Sequence, residues 1–332
     1  MKFKSFLGGA FDFSSVVINI VLLGLLFLLA GCSDSKLPAD IPNNSRSDLG
    51  NKAPTLRIIS TVPSVSETLF ELGLGDCVVG ASDYCKYPEE ILSVPKIGSL
   101  HEYNLEAIVE LTPDFVVVLK ENDVLPQKLS ALGIETISVD HSTLEGVLES
   151  FEVIANRVEE SAPGTSEHAR TICQEMNEQI SSIRASVADK VKVKTLVSIY
   201  RTVGLGKIGE VYVAGKNPYF DSVLEIVGAT NVASELQAFS PRITAEGILE
   251  FNPEAILDLS TDGVTYEGEE LKTKKEERIA DWESLGDSLD AVKNNRIYPI
   301  FADYATIPGP RTVLFLEELA DILHPERTQE EE

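Results

Sequence analysis

Basic side chains are scarce in this sequence. Its 332 residues include 28 lysines and arginines against 53 aspartates and glutamates, which gives a formal net charge of −25 at pH 7. Nucleic acids and anionic membrane surfaces repel a chain of this charge, so the composition argues against both as binding partners. The acidity alone indicates no further function, because a solvated acidic surface is common in globular proteins.

Histidine is also scarce, with four residues in the whole chain. They are widely spread and lack the spacing typical of metal sites, so we interpret most of them as surface residues and expect neither a resident metal nor a cofactor. The sequence has no GxSxG elbow and no spacing that indicates a Cys–His pair, and we therefore predict no enzymatic activity. The histidines are His101, His141, His168 and His324.

Only four cysteines are present, and three of them follow residue 32. In an exported protein an odd set of this kind allows one disulfide and one free thiol. Cys77 and Cys85 are the nearest pair and Cys173 is remote, but spacing alone does not establish a bond.

One glycine-rich segment, residues 204–209, fits the GxGxxG pattern of dinucleotide-binding folds. That fingerprint requires a helix to begin at the glycines, so that the helix N-terminus can hold a pyrophosphate. Residues 210–215 instead alternate as a strand does. The sequence therefore argues against nucleotide binding here.

A long apolar run, residues 16–30, follows Lys2 and Lys4 and ends in Leu-Ala-Gly-Cys32. A basic start, an apolar stretch and small residues before a cut site predict a secretory signal peptide over residues 1–31. The Leu-Ala-Gly-Cys sequence also resembles the bacterial lipobox, which implies cleavage before Cys32 and acylation of that residue. A retained transmembrane anchor is the alternative, and both interpretations place the body of the protein outside the cytoplasm.

The remaining chain divides by composition and periodicity. Polar residues without apolar periodicity predict a flexible tether over residues 32–54. Apolar residues at helical spacing predict one long helix over residues 165–190, and strands alternate with helices on both sides of it. We predict an α/β fold with an N-terminal lobe over residues 55–163, a connecting helix over 164–191, a C-terminal lobe over 192–326 and an acidic tail over 327–332.

A segment that occurs twice, at residues 104–119 and 244–259, organises both lobes. Each copy has a helix-capping residue, a first-turn glutamate, a proline and then an apolar run, which predicts a helix followed by a buried strand. Helix dipoles favour first-turn glutamates in general, so it is their pairing at equivalent positions that indicates a shared role, as two acidic knobs for a partner's arginines. The caps are Asn104 and Thr244, and the glutamates are Glu106 and Glu246.

Several of these segments resemble the class III substrate-binding proteins of ABC importers, which serve cobalamin, ferric siderophores and haem. In the first lobe they are residues 63–68 (Pro-Ser-Val-Ser-Glu-Thr, where Ser64 and Glu67 have capping-box spacing), 82–88 (Ser-Asp-Tyr-Cys-Lys-Tyr-Pro) and 104–114. The second lobe agrees at residues 214–215, 221–232, 244–246, 252–253 and 308–311. The resemblance implies two rigid Rossmann-like lobes with mostly parallel sheets, joined by one long helix, with the ligand held in the cleft between them.

The resemblance also implies site residues. The cobalamin-binding branch has a tyrosine at the position of Tyr84 and an aspartate and arginine that reach the ligand, here Asp303 and Arg311. Two of its tryptophan positions are occupied by Leu100 and Leu119, so part of the aromatic cage is missing. An anionic catecholate or haem propionates would instead engage arginines. The other candidate contacts are His101, Arg201, Arg242 and Tyr304.

We therefore expect an extracytoplasmic, lipid-anchored, monomeric substrate-binding protein. It would deliver a metal chelate to a permease dimer with its ATPase, docking through Glu106 and Glu246, and would touch the membrane only through its anchor. A corrinoid is the first expectation for the ligand, a ferric siderophore the second and haem the third. A periplasmic enzyme that uses the cleft, and a surface sensor or adhesin on the same fold, are the rival functions.

Overall fold

The computed structural model describes residues 56–100, 102–260 and 264–329, without the side chains of residues 328 and 329. The predicted signal peptide, Cys32, the tether and His101 lie outside these residues. Residues 52–332 form one compact unit. Within the described ranges, no helix has both the length and the apolar character needed to cross a membrane.

The first part of the chain builds a four-stranded, fully parallel sheet in the order β2-β1-β5-β6. Short β3 and β4 form a separate antiparallel pair just before α2. The elements are β1 (Ile58–Ser60), α1 (Pro63–Glu71), β2 (Val78–Ala81), β3 (Gly98–Ser99), β4 (Glu102–Tyr103), α2 (Leu105–Glu110), β5 (Phe115–Leu119), α3 (Val124–Ala131), β6 (Glu135–Val139) and α4 (Leu144–Val158).

The second part builds a six-stranded sheet in the order β10-β8-β7-β11-β12, with β9 paired to β7. Strands β7, β9, β11 and β12 pair in parallel, β8 pairs antiparallel with β7, and β10 pairs antiparallel with β8. The elements that follow α4 are α5 (Thr165–Ser186), β7 (Val193–Arg201), β8 (Val211–Val213), α6 (Pro218–Ile226), β9 (Ala229–Asn231), β10 (Arg242–Ile243), α7 (Ala245–Phe251), β11 (Ala255–Leu259), α8 (Gly268–Glu283), α9 (Asp290–Lys293), β12 (Ile297–Ile300) and α10 (Thr312–Leu323).

One helix contributes to the hydrophobic cores of both parts. The first half of α5 packs Ile172 and Met176 into the core under β1 and β5. Its second half packs Ile180 and Ile183 into the core under β7 and β11. At about 1.5 Å per residue, 22 residues span roughly 33 Å, which is enough to reach across both. The predicted fold class, two lobes with mostly parallel sheets joined by one long helix, is confirmed.

The repeated segment has the same backbone in both lobes. Equivalent positions in the two copies are 140 residues apart in the sequence: β5 begins at Phe115 and β11 at Ala255. Each copy has a left-handed residue after its helix, Thr112 (φ 42°) or Asn252 (φ 41°). From residue 102 to 110 and from 242 to 250, exposed and buried positions alternate in the same order. The repeat seen in the sequence is therefore a structural repeat.

Residue 327, the first of the predicted acidic tail, lies in a short helix. A short 3₁₀ helix covers Pro325–Gln329. The mostly buried guanidinium of Arg327 pairs with Asp321 at 2.8 Å and donates to Ser186 Oγ at 2.8 Å. Arg327 therefore belongs to the folded body, because carboxylates on α10 pair with its guanidinium. The predicted start of the tail at residue 327 is too early.

Candidate functional site

A cleft of about 520 Å³ lies between the two sheets, and we call it the inter-lobe cleft. It opens where β11 and β12 end, which is the edge of a parallel sheet where ligands bind in α/β folds. The first lobe contributes the start of α1 and the loop after β2. The lining residues from that lobe are Pro63, Glu67, Tyr84, Lys86 and Tyr87, and those from the second are Ser260, Val264, Thr265, Phe301, Ala302, Asp303, Thr306, Ile307 and Arg311.

Arg311 is the central charge of this cleft. Its guanidinium donates to both carboxylate oxygens of Glu67, at 2.9 and 2.6 Å, and to both oxygens of Asp303, at 2.7 and 3.1 Å. It also lies 4.0 Å from the ring centre of Tyr87. Two carboxylates and an aromatic face therefore fix the orientation of this one side chain.

The three charged groups differ in exposure. Glu67 is buried and half of the Asp303 side chain is exposed. Burial raises the pKa of the Glu67 carboxyl, and its bonds to Arg311 offset that only in part. Burial alone would lower the pKa of Arg311, but the bonds to Glu67 and Asp303 carry it above its ordinary value. Glu67 and Asp303 balance Arg311 and Lys86, so the formal charges of the described lining residues sum to zero.

Three predicted ligand residues, Tyr84, Asp303 and Arg311, line this one cleft. Tyr84 is 59% exposed there. Tyr304 does not line it: its ring lies near Phe315, and its hydroxyl donates to Glu318 at 3.1 Å. Burial raises the pKa of Tyr304 to about 12, so its hydroxyl keeps its proton. The position of Tyr304 therefore does not support the prediction that it contacts the ligand.

Leu100 and Leu119 lie together in a second pocket of about 710 Å³, entirely within the first lobe. Leu119 ends β5, and Leu105 at the start of α2 lines the same pocket. This places the beginning of α2, and with it Glu106, at the carboxyl edge of the first sheet. Acidic side chains flank the leucines there, namely Glu102, Glu121 and Asp123.

Arg201 is not available to a ligand, contrary to prediction. It is buried, and it pairs with Asp258 at 2.8 Å and with Asp281 at 2.7 Å. Arg278 adds a second cation on Asp258 at 3.0 Å. Burial alone would raise the pKa of Asp281, but the donors around it hold that pKa below its ordinary value.

The same carboxylate explains the glycine-rich segment. Asp281 accepts hydrogen bonds from the backbone N–H groups of Gly204 and Gly206, at 2.8 and 2.7 Å. Both glycines have positive φ, and strand β8 follows them rather than a helix. The segment therefore holds the protein's own aspartate, and the predicted strand after it is confirmed.

Arg242 is also placed away from the cleft. It lies exposed on β10 and pairs with the exposed Glu210 at 2.9 Å. The prediction that it meets an anionic ligand is therefore not supported by its position, because it lines no wall of the inter-lobe cleft.

Glu106 and Glu246 are exposed in the first turns of α2 and α7. The caps predicted from the sequence are present: Asn104 accepts from the N–H of Ala107 at 3.0 Å, and Thr244 from that of Gly247 at 3.5 Å. Hydrogen bonds from the Thr244 side chain and from its own backbone lower the pKa of Glu246. Both carboxylates are exposed to solvent and therefore accessible to an outside partner.

Two histidines were wrongly expected at the surface. His324 is buried and contacts the carbonyl oxygens of Val227 and Gly228. His141 is buried where β6 ends, with Nδ1 2.8 Å from Ser64 Oγ. Burial lowers the pKa of His141 to about 4, so the ring is neutral at pH 7.

The three cysteines of the described body all have free thiols. No disulfide therefore joins Cys77 to Cys85.

Three residues of the inter-lobe cleft, Glu67, Tyr87 and Phe301, were not predicted from the sequence. Glu67 fits a capping box, yet α1 begins at Pro63 after Val62 and has no side-chain cap, so the Glu67 carboxylate turns to Arg311. Tyr87 and Phe301 complete the aromatic walls. No local signal distinguishes them, since their partners are remote in sequence.

Known proteins share this architecture. A model of the periplasmic binding protein family matches residues 58–304. The chain belongs to that family. It is 29% identical over 330 residues to an uncharacterized ABC transporter substrate-binding lipoprotein of Bacillus subtilis, YvrC, covering 93% of this chain and 97% of that protein.

Two further similar proteins are named for different ligands. The vitamin B12-binding protein of Vibrio campbellii is 25% identical over 274 residues, which are 81% of this chain and 89% of that protein. The apo periplasmic haem-binding protein RhuT of Roseiflexus sp. RS-1 superposes with a TM-score of 0.65 at 20% identity, covering 82% of this chain and 99% of that one. At such identity the structural likeness concerns the fold alone.

The different settings of Arg201 and Arg242 predict different effects on stability. Arg201→Ala leaves two buried carboxylates short of a partner, so we expect the free energy of unfolding to fall by about 3–5 kcal/mol. Arg242→Ala removes an exposed pair and should cost no more than about 1 kcal/mol. Urea unfolding followed by circular dichroism measures both. Equal small losses would show that Arg201 is solvated and open to a ligand.

Buried His141 predicts a pH dependence of stability. Its pKa is about 4 in the folded state and about 6.5 when unfolded, so the unfolded chain binds more protons between these values. Stability is therefore full above pH 6.5 and is lost as the pH falls towards 4, by about 2 kcal/mol between pH 7 and pH 5 for this group.

Urea unfolding of the wild type and of His141→Asn at pH 7 and pH 5 isolates the contribution of His141 to the free energy of unfolding. The variant should lose less stability on acidification, by about the amount given. The same pH dependence in both proteins would contradict a neutral buried ring.

Proposed function

We propose that this chain is the extracytoplasmic substrate-binding protein of an ABC importer, that it is lipid-anchored through Cys32, and that it carries a corrinoid in the inter-lobe cleft. The observation that carries the proposal is the cleft itself. Tyr84 from one lobe and Asp303 and Arg311 from the other lie on its walls, in a chain of the periplasmic binding protein family.

The charge of the cleft supports a corrinoid over an anionic chelate. Catecholates and haem propionates need free cations, preferably arginines. Arg201 is buried in ion pairs, Arg242 pairs with Glu210, and Arg311 already makes four hydrogen bonds to two carboxylates. Lys86, the other cation on the described walls, also has a partner within the protein. A corrinoid instead presents a rim of neutral amides, which suits a cleft whose described charges balance.

Aromatic faces support the same ligand class. Tyr84 and Tyr87 line one side of the cleft and Phe301 the other. Rings of this kind pack well against large, flat, partly apolar molecules. Relatives named for vitamin B12 binding agree with this choice.

Haem is the second candidate, because a phenolate can serve as an axial ligand of haem iron. The observation in its favour is that Tyr84 and Tyr87 reach the cleft with 59% and 47% of their surface exposed. Against it stands the pairing of Arg311, which leaves the propionates without a free guanidinium on the described walls.

Docking to the permease is assigned to Glu106 and Glu246. They occupy equivalent positions in the two copies of the repeat, whose strands begin 140 residues apart at Phe115 and Ala255. Both glutamates are exposed. A symmetric dimer presents the same surface twice, so two equivalent acidic knobs match two equivalent basic sites. Two lobes of one chain can thereby meet two subunits of one dimer.

Charge reversal tests the importer function. In cells that depend on this protein for corrinoid uptake, Glu106→Arg with Glu246→Arg should reduce uptake of labelled cyanocobalamin at least about tenfold, because close like-charge contacts replace ion pairs. Titration calorimetry should show that the double variant binds cyanocobalamin with the affinity of the wild type, since neither glutamate lines the cleft.

A matched control is Glu152→Arg with Glu276→Arg, which reverses one exposed glutamate on α4 and one on α8. This control should transport normally. Normal uptake by the Glu106/Glu246 variant would overturn the docking assignment. Absence of cyanocobalamin binding by the wild type would overturn the proposal that the ligand is a corrinoid.

A further inference from the structure

The loop that carries Arg311 lies directly on the first lobe. Gly309 is so close to α1 that a Cβ there would lie 3.4 Å from Oε2 of Glu67 and 3.6 Å from Cα of Ser64. Tyr219 and Thr312, whose hydroxyls are 3.0 Å apart, hold the start of α10 in the second core. The guanidinium therefore enters the cleft from a fixed base.

Glu67 contacts this guanidinium more firmly than Asp303 does. It accepts from Nε at 2.9 Å and from Nη2 at 2.6 Å, which is the bidentate geometry that arginine and carboxylate favour. Its side chain is 2% exposed, while that of Asp303 is 52% exposed. Solvent can screen or replace Asp303, but it cannot reach the Glu67 contact.

The rings around Arg311 keep it from turning elsewhere. The guanidinium carbon lies 4.0 Å from the ring centre of Tyr87 and 5.6 Å from that of Tyr304. Tyr304 is in turn fixed by its hydrogen bond to Glu318. Arg311 therefore faces the cleft with its Nε and Nη2 groups already bonded to Glu67.

We infer that Glu67 is a specificity-determining residue of the cleft: by occupying Arg311 it excludes anionic ligands and reserves the cleft for neutral ones. The inference rests on the proposed function in taking the inter-lobe cleft as the ligand site. Glu67 acts through Arg311, so it is a positioning residue whose removal should change ligand choice rather than abolish binding.

The variant Glu67→Gln tests this. Glutamine has the same size but no charge, so in Glu67→Gln the charge of Arg311 is balanced by Asp303 alone, and a ligand carboxylate can displace Asp303 at that exposed contact. Haemin carries two propionates, and its dimethyl ester presents the same ring without them. We expect Glu67→Gln to bind haemin about tenfold more tightly than the wild type does, and to bind the dimethyl ester unchanged.

Two variants make the result specific to this contact. Glu71→Gln removes the same charge from an exposed position one turn later on α1 and should leave haemin affinity unchanged. Adding Arg311→Gln to Glu67→Gln should abolish the gain. Haemin binding by Glu67→Gln no tighter than that by the wild type, or an equal gain for the dimethyl ester, would overturn the inference.

Folding of each variant is checked by thermal unfolding, because Glu67 is buried. Should Glu67→Gln fail to fold, Glu67→Asp tests the same contact, because the shorter side chain withdraws its carboxylate from the guanidinium. It should raise haemin affinity by a smaller factor, about threefold, since the charge is kept and only the paired hydrogen bonds weaken. No gain in Glu67→Asp would then overturn the inference. Failure of the wild type to bind cyanocobalamin would count against the corrinoid alone, since haemin selectivity is measured separately.

Discussion

The contact between Arg311 and Glu67 joins the two lobes across 244 positions of the sequence. It brings the start of α1, at the carboxyl edge of the first sheet, against the loop before α10 in the second lobe. The cleft exists where these two edges face each other, and Arg311 is its central charge. Because Glu67 is buried and the guanidinium is held by rings as well as carboxylates, the site is formed before any ligand arrives.

The two lobes are versions of one unit, and the long helix makes them one body. Ile172 and Ile180 on α5 lie in different cores, so neither core is complete without that helix. Bending such a helix would disrupt its backbone hydrogen bonds. This architecture favours capture between nearly fixed walls over closure around a hinge, and it presents the two exposed glutamates, Glu106 and Glu246, in a fixed relation to each other.

Local patterns predicted much of this structure. Caps, prolines and apolar runs located α2, α7, β5 and β11, since each of these depends on neighbours within a few residues. The roles of the arginines were not predictable in the same way. Arg201 ends β7 and Arg311 precedes α10, yet Arg201 is buried in ion pairs with Asp258 and Asp281 and Arg311 reaches the cleft. Glu67 fits a capping box locally, and only the distant Arg311 shows its role.

A corrinoid bound between the lobes, as we propose, would place its cobalt in the inter-lobe cleft. Anomalous diffraction at the cobalt absorption edge, from crystals grown with cyanocobalamin, locates the metal without reference to any other feature. One cobalt peak in the inter-lobe cleft, between Tyr84 and the Asp303–Arg311 pair, is the predicted result. A peak elsewhere, such as the first-lobe pocket beside Leu100 and Leu119, or no peak at all, would contradict the claim.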